Sequence, residues 1–206
     1  MSLNKINQKQ FLRQQYLRYC IGYYIAARFS VFSGLWIMGN LFHHAVEMLL
    51  KGFLCIDLEE KAMKNFSKSG HSLLDAWKLF KGVIGDKNAD QFDDIITSLD
   101  EFEDIRYPDR VIKQGAIIVI DPLSIDGKKF KSSPNANHYN ILNGRREKIY
   151  RFNLSSIDSL IEFIFIKTAI DPNSFINLYG NDEMKYLKKY NKSKIWNKRM
   201  FREKFK

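Results

Sequence analysis

The sequence predicts a mainly α protein of about five core helices, with a small β-hairpin insert and a basic C-terminal tail. Apolar residues recur at helical spacing in several long segments, whereas one later stretch has an extended period and many β-branched residues. With 206 residues, 45% of them hydrophobic, the chain is long enough for one domain with a sizeable core. We expect that single domain, 1–206, to comprise a helical bundle (11–109 and 153–170), the β insert (110–152) and the tail (171–206).

Residues 35–56 predict the helix around which the others pack. At about 100° per residue, apolar side chains cover most of its circumference. The exception is one narrow row of polar residues, here called the polar line: Asn40, His44, Glu47 and Lys51. Because an unpaired buried charge costs several kcal/mol, we expect the polar line to face groups that satisfy it.

Further helices are predicted on both sides of this central one. A first helix covers about 11–30, and a third begins at Ser72, whose capping partner is Asp75. A fourth covers about 88–106. The last covers about 155–170 and begins at Ser155, whose capping partner is Asp158. Acidic residues surround the apolar stripe of the fourth helix, which predicts either a solvated face or a docking surface for something basic.

The β insert is predicted from a change of period after the fourth helix. From Val111 the chain becomes rich in β-branched residues. The segments 139–142 and 148–152 flank Asn143 and Gly144, a pair that is a strong signal for a two-residue hairpin loop. We therefore expect a small β element inserted into a helical domain.

The net charge of +10 belongs to the tail and not to the body of the chain. Segment 185–206 contains ten Lys and Arg and one Glu, which leaves a net charge of +1 over the first 184 residues. The tail is interpreted as a terminal helix that docks on the bundle, as disorder, or as a contact to RNA or DNA. The nucleic-acid interpretation involves Lys188, Lys189, Lys192, Lys194, Trp196, Lys198 and Arg199.

Cysteine usage and hydropathy indicate a cytoplasmic protein. Cys20 and Cys55 lie in apolar helical patterns, which predicts reduced core thiols and not a disulfide framework. The first 15 residues are polar and basic, and no apolar run reaches the ~18 residues that a membrane helix needs. Nucleophilic triads, phosphate-binding glycine loops and zinc-ligand spacings are absent from the sequence, so we expect no cofactor, no metal and no membrane partner.

Arg106 is the residue on which the functional expectation depends. It continues the apolar series of the fourth helix, so we expect it to point into the bundle, and Pro108 to end that helix. The fork of a guanidinium matches the two oxygens of a carboxylate, so we expect Arg106 to form an ion pair with Glu47 or Asp109 across the bundle. Alternatively, Arg106 and Lys51 bind a phosphate or nucleotide in a cleft between helices or at a dimer seam.

The histidines are expected to have structural roles. His43 and His44 are adjacent on the central helix and point about 100° apart, which predicts that they do not face one ligand site together. His138, within or beside the β insert, is a candidate for a displaced catalytic base. Tyr107 is expected at the edge of the core, or in a pocket where it stacks or forms a hydrogen bond.

Three motifs follow one another in a recognisable order. Glu47 and Lys51 lie on one helix, a Gly-His pair at 70–71 opens the next, and Arg-Tyr-Pro-Asp at 106–109 follows the one after. This order, over residues 16–109 and through a closing helix at 155–170, resembles the HEPN superfamily of prokaryotic helical bundles. The resemblance implies an up-and-down bundle that usually forms a homodimer. It also implies a setting in toxin–antitoxin, phage-defence or nucleotide-handling systems, often with a nucleotidyltransferase or antitoxin partner.

Many members of that family are metal-independent ribonucleases. They use an Arg that stabilises phosphate charge and, four to six residues later, a His that acts on the ribose 2′-hydroxyl proton. Residues 107–113 of this chain contain no His. The chain therefore resembles the non-catalytic branch that keeps the Arg-Tyr-Pro-Asp motif.

We accordingly expect a homodimeric, non-catalytic module that binds a nucleotide, a nucleic acid or a partner protein. Its expected ligand-binding residues are Arg106, Tyr107, Asp109, Glu47, Lys51 and His44. One alternative is a ribonuclease that uses Arg106 with His138 or His44. The other is a purely protein-interaction module built on the acidic fourth helix and the basic tail.

Overall fold

The fold is mainly α, as predicted. The computed structural model describes residues 3–32, 35, 37–57, 72–121, 124–125, 128–129, 139–142 and 145–169. Six α-helices lie in these residues: α1 (Leu3–Phe32), α2 (Met38–Asp57), α3 (Leu73–Ile84), α4 (Asp93–Glu101), α5 (Pro108–Gln114) and α6 (Leu154–Lys167). None of the described helices has the length and apolar character needed to cross a membrane.

Helices α1 and α2 pack along each other and form the centre of the core. α1 begins at Leu3, well before the predicted start near residue 11, and its residues Leu17, Cys20 and Ile21 are buried. On α2, many of the apolar side chains are buried, including Phe42, Val46 and Leu49. Both cysteines are free and buried, which confirms core thiols, and burial raises the pKa of the Cys20 thiol.

The ends of α3 follow the predicted capping signals. The Ser72 side chain accepts a hydrogen bond from the Asp75 backbone N–H at 3.2 Å, which confirms the predicted N-cap. Gly85 ends the helix in the left-handed region at φ 60°, and its N–H donates to the Lys81 carbonyl oxygen at 3.0 Å.

The start of α6 differs from the predicted cap of Ser155 with Asp158. The helix begins one residue earlier, and Asn153 is its N-cap, accepting from the Ser156 N–H at 3.0 Å. Asp158 is buried instead, in a triad with Tyr24 and Arg28 of α1.

This buried triad joins α1 to α6. The Tyr24 hydroxyl donates to Asp158 Oδ1 at 3.0 Å, and Arg28 Nε donates to the Tyr24 oxygen at 2.9 Å. The Arg28 guanidinium also forms an ion pair with Asp158. Burial, together with the negative charge of Asp158, raises the pKa of the Tyr24 hydroxyl.

The predicted fourth helix is three shorter helices in sequence. A 3-10 helix, Lys87–Phe92, precedes α4, and a second one, Phe102–Arg106, follows it. Pro108 does not simply end this region, because it occupies the first turn of α5, where its missing N–H needs no partner. Val111 is therefore helical, and the prediction of an extended strand from that residue is wrong.

Five strands follow α5 in the described residues: β1 (Ala116–Asp121), β2 (Ser124–Ile125), β3 (Lys128–Lys129), β4 (Tyr139–Leu142) and β5 (Arg145–Asn153). β4 and β5 are antiparallel, and Leu142 pairs with Arg145, which confirms the predicted hairpin with a two-residue loop. β1 pairs with β5 in parallel, with Ala116 opposite Lys148, an arrangement that the sequence did not indicate. The sheet order is β1-β5-β4.

Candidate functional site

The polar line of α2 is largely buried, and its side chains have partners as expected. The Asn40 amide donates to the Phe102 carbonyl oxygen at 2.8 Å. Glu47, whose side chain is 1% exposed, accepts from Lys51 Nζ at 2.7 Å through one oxygen. Its other oxygen lies 3.2 Å from Nδ1 of His44. The buried carboxylate is thus satisfied by two residues of its own helix.

Arg106 does not point into the bundle, which corrects the prediction. Its side chain is 39% exposed, and Nη1 lies 2.5 Å from a carboxylate oxygen of Glu103. Glu103 is only three residues away in the chain. The predicted pairing of Arg106 with Glu47 or Asp109 across the bundle is therefore wrong.

The local helix type explains this orientation. A 3-10 helix has about 3.0 residues per turn, so each residue advances by about 120°, compared with about 100° in an α-helix. Phe102, at the start of the 3-10 segment, is fully buried. Four residues later, Arg106 is turned about 120° from the direction of Phe102, where an α-helix would have turned it by only about 40°.

Arg106 and His44 nevertheless line one open cavity of about 560 Å³, here called the Arg106 cavity. It lies between the N-terminal half of α2, the end of the second 3-10 helix and α5. Its other lining residues are mostly apolar: Ile37, Asn40, Leu41, Ile105, Val111 and Ile112. Residues 107–113 contain no His, and His44, from a different helix, lines the same cavity as Arg106.

The other expected ligand-binding residues are more dispersed. Tyr107 is exposed, and the guanidinium carbons of Arg106 and Arg110 lie 5.8 and 4.8 Å from the centre of its ring. Asp109 is exposed in the first turn of α5. Lys51 is buried against Glu47 and does not line the Arg106 cavity. The structure thus brings together two of the six predicted residues, Arg106 and His44, with Glu47 behind the histidine.

A group of three side chains that includes His44 lies next to the Arg106 cavity. One ligand-type atom each from His43, His44 and Glu47 lies within 4.8 Å of the other two. The ring nitrogens of the adjacent histidines thus lie close together, which the prediction from their directions on the helix did not anticipate. Their rings extend far enough beyond the helix to meet edge to face, with centroids 5.3 Å apart. The spacing of His43 and Glu47, four residues apart, was the signal in the sequence.

His43 is the most deeply buried member of this group. Its Nδ1 donates to the Leu99 carbonyl oxygen at 3.0 Å, and its Nε2 has no hydrogen-bond partner among the described residues. Burial lowers the pKa of the His43 imidazole, while the hydrogen bond to Leu99 acts in the opposite direction. His43 is therefore the neutral tautomer with its hydrogen on Nδ1.

The acidic residues around α4 are not simply a solvated face. Asp93 accepts from the Trp77 indole N–H at 2.7 Å and from Lys81 Nζ at 2.9 Å. Asp100 accepts from the Leu73 backbone N–H at 2.8 Å. These contacts join α4 to α3, so part of the acidic surface stabilises the fold.

Two predicted sites lie outside the described residues. One is His138, the candidate displaced base. The other is the basic tail with its seven named residues, 188–199.

Comparisons with protein-family models, with curated proteins and with solved structures find no match for this chain. The resemblance to the HEPN superfamily stays a prediction. Function is therefore inferred from the Arg106 cavity and the side chains behind it.

Proposed function

We propose that this chain is a cytoplasmic, non-catalytic module of HEPN type that binds a phosphate-bearing ligand, a nucleotide or an RNA, in the Arg106 cavity. The observation that carries the proposal is that Arg106 and His44, from separate helices, line the same open cavity. A guanidinium fork matches two phosphate oxygens, and an imidazole N–H is a further donor. The apolar walls suit a base or a ribose face.

The contact of Arg106 with Glu103 does not prevent this role. Both side chains are partly exposed, at 39% and 24%, and ion pairs of this kind contribute at most about 1 kcal/mol. A phosphate brings a larger charge and two acceptor oxygens to the same fork. Arg106 can therefore exchange Glu103 for a ligand without a large loss of stability.

We also propose that the module is a homodimer, with the mouth of the Arg106 cavity at the interface. Ile112 is 79% exposed and Ile37 is 55% exposed, although both line the cavity. Exposed apolar side chains that cluster beside a cavity are typical of an interaction surface. A two-fold symmetric contact would cover the same patch on both copies and bring two Arg106 side chains towards one another.

The setting follows from the resemblance alone. A HEPN-type module would act in a prokaryotic defence or toxin–antitoxin system, with a nucleotidyltransferase or an antitoxin as partner. The basic tail would add a second, sequence-independent contact to RNA through its Lys and Arg residues.

Titration with a labelled single-stranded RNA, and separately with ATP, tests the binding proposal. We expect Arg106→Ala to weaken affinity by about tenfold or more, since a charge-assisted hydrogen bond contributes about 1.5–3 kcal/mol. Lys78→Ala is the matched control, because Lys78 is 75% exposed on α3 and carries the same charge. Equal affinities of the two variants would exclude the Arg106 cavity as the binding site.

Ribonuclease activity is the second candidate, and one observation favours it. His44 Nδ1 lies 3.2 Å from a Glu47 oxygen, and a carboxylate that orients an imidazole is the usual arrangement of a general base. Incubation of RNA in a buffer with chelator separates the candidates. Cleavage by the wild type that is lost in both Arg106→Ala and His44→Ala would establish the ribonuclease, and His138→Ala tests the displaced base.

A purely protein-interaction module is the third candidate. The internal contacts of Asp93 and Asp100 reduce the acidic surface that could receive a basic partner. Deletion of residues 185–206 addresses this candidate directly. Loss of a partner complex with unchanged nucleotide affinity would favour the interaction module over the binding module.

A further inference from the structure

Among the described residues, only one of the two nitrogens of the His43 imidazole has a hydrogen-bond partner. Nδ1 donates to the Leu99 carbonyl oxygen at 3.0 Å. Since a carbonyl oxygen can only accept, the lone pair of the neutral ring is on Nε2. Nε2 is buried without a hydrogen-bond partner among the described residues, and the His43 side chain is 0% exposed. Such an atom is unfavourable on its own and indicates a group that would occupy the space beside it.

His44 and Glu47 offer further ligand atoms at this place. The ligand atoms of the three residues lie within 4.8 Å of one another. His44 Nδ1 and a Glu47 oxygen are 3.2 Å apart. Two ligands of a tetrahedral zinc ion, with bonds of about 2.1 Å, are about 3.4 Å apart. The pair therefore already has nearly the separation that a shared ion requires.

Neighbouring groups hold two of these ligands in orientation. Lys51 Nζ donates to Oε1 of Glu47 at 2.7 Å, which leaves Oε2 facing His44. The Leu99 carbonyl fixes the tautomer and ring direction of His43. Hydrogen-bond partners of this kind behind the ligands are a regular feature of metal sites.

We propose that His43, His44 and Glu47 bind one divalent transition-metal ion, with Zn²⁺ as the best match. Two imidazoles and one carboxylate favour zinc over Mg²⁺ and Ca²⁺, which prefer oxygen ligands. Three protein ligands leave a fourth position for water or an oxygen of a bound molecule. This site goes beyond the proposed function, because zinc binding requires neither nucleotide nor RNA.

Charge and access are compatible with an ion at this position. Glu103 has a buried oxygen without a hydrogen-bond partner among the described residues, and its negative charge acts on His43. Together with Glu47, it offsets the positive charge of the ion beside Lys51. His44 also lines the Arg106 cavity, so the ion has a route from solvent.

Zinc titration of the untagged 206-residue chain tests the proposal. After removal of metal by a chelator, Zn²⁺ alone is added in competition with a chromophoric chelator, and Co²⁺ binding is followed by visible absorption. We expect saturation at one ion per chain. His43→Asn keeps a donor for Leu99 but removes the Nε2 ligand, and we expect it to weaken binding by more than about tenfold, as should His44→Ala. Asp75→Asn, an exposed carboxylate on α3, should bind like the wild type.

Circular dichroism and thermal unfolding establish whether each variant is folded. If a variant does not fold, the unfolding temperature of the wild type tests zinc binding. Zinc that binds the native chain must raise that temperature. No saturable binding, no rise in unfolding temperature, or equal affinity in His43→Asn, His44→Ala and Asp75→Asn would overturn the proposal. Since no nucleotide is present, these outcomes are independent of the function proposed for Arg106.

Discussion

At Gly39, α2 lies directly against Phe102 of the second 3-10 helix. A Cβ atom built at this position would lie 1.9 Å from Cδ1 of Phe102, whose ring is fully buried. The neighbouring Asn40 donates to the carbonyl oxygen of the same phenylalanine. The absence of a side chain at residue 39 thus lets Phe102 pack directly on the helix. That contact places the segment which carries Arg106.

Gly39→Ala should therefore destabilise the protein. The added methyl group must displace Phe102 or the α2 backbone, and overpacking of this kind costs about 1–3 kcal/mol. Urea denaturation measures the loss. Gly82→Ala is the control, because nothing lies within 4 Å of its added Cβ on α3. It should increase stability by about 0.5–1 kcal/mol. Equal stability of the two variants would contradict a tight contact at Gly39.

At the scale of secondary-structure elements, the buried triad is a polar link between α1 and α6. The side chains of Arg28 and Asp158 are 3% and 0% exposed, and the Tyr24 hydroxyl bonds to both. A buried ion pair of this kind contributes little compared with apolar residues of the same size. Removal of one partner is different, because it leaves the other charge buried and unpaired.

We expect Asp158→Asn to lower the free energy of unfolding by about 3–5 kcal/mol. The double substitution Arg28→Met with Asp158→Asn should lose less, since it removes both charges, keeps most of the volume and leaves an acceptor for the Tyr24 hydroxyl. Chemical denaturation of the two variants at neutral pH makes the comparison. If the double variant is the less stable of the two, the attraction between the two charges itself stabilises the fold, and the cost of one unpaired charge is not the main effect.

The second 3-10 helix is the element that determines the direction of the Arg106 side chain. Its tighter turn moves Arg106 from the inner face to the mouth of a cavity. The side chain that would have been a structural ion pair in the core is thereby available at the surface. The same element carries Glu103, which forms an ion pair with Arg106 and whose negative charge acts on His43.

At the scale of the whole molecule, the Arg106 cavity combines parts that are far apart in the chain. His44 comes from α2, Arg106 from the second 3-10 helix, and Ile112 from α5. The parallel pairing of β1 with β5 returns the chain to α6, and buried Tyr150 of β5 packs against Phe102 with ring centroids 5.5 Å apart. The sheet therefore supports the segment that bears the site.

The proposed dimer predicts that Ile112→Asp is monomeric. A charge at the centre of an apolar contact is strongly unfavourable, whereas the wild type should have about twice the chain mass of 24.3 kDa. Size-exclusion chromatography with light scattering gives the mass. Ile166→Asp is the matched control, because Ile166 is also exposed but lies on α6, outside the Arg106 cavity. A dimer that persists in Ile112→Asp places the interface elsewhere.

The structural features that residues close together in the chain determine were largely predictable from the sequence. Helical periodicity located α2 and α6, Ser72 marked the start of α3, and Asn143-Gly144 marked the hairpin between β4 and β5. The buried polar line was also predictable, because its spacing lies within one helix. These features follow from local backbone geometry and from the pattern of apolar residues.

Only the tertiary structure decided where the side chains of the candidate site point. Spacing predicted an inward Arg106, and the change to 3-10 geometry, where Phe102 packs on Gly39, turned it outward. His44 lines the same cavity as Arg106, although it precedes Arg106 by 62 positions in the chain. The proximity of two such side chains depends on packing between distant segments. The apolar period of a single helix carries no information about that packing.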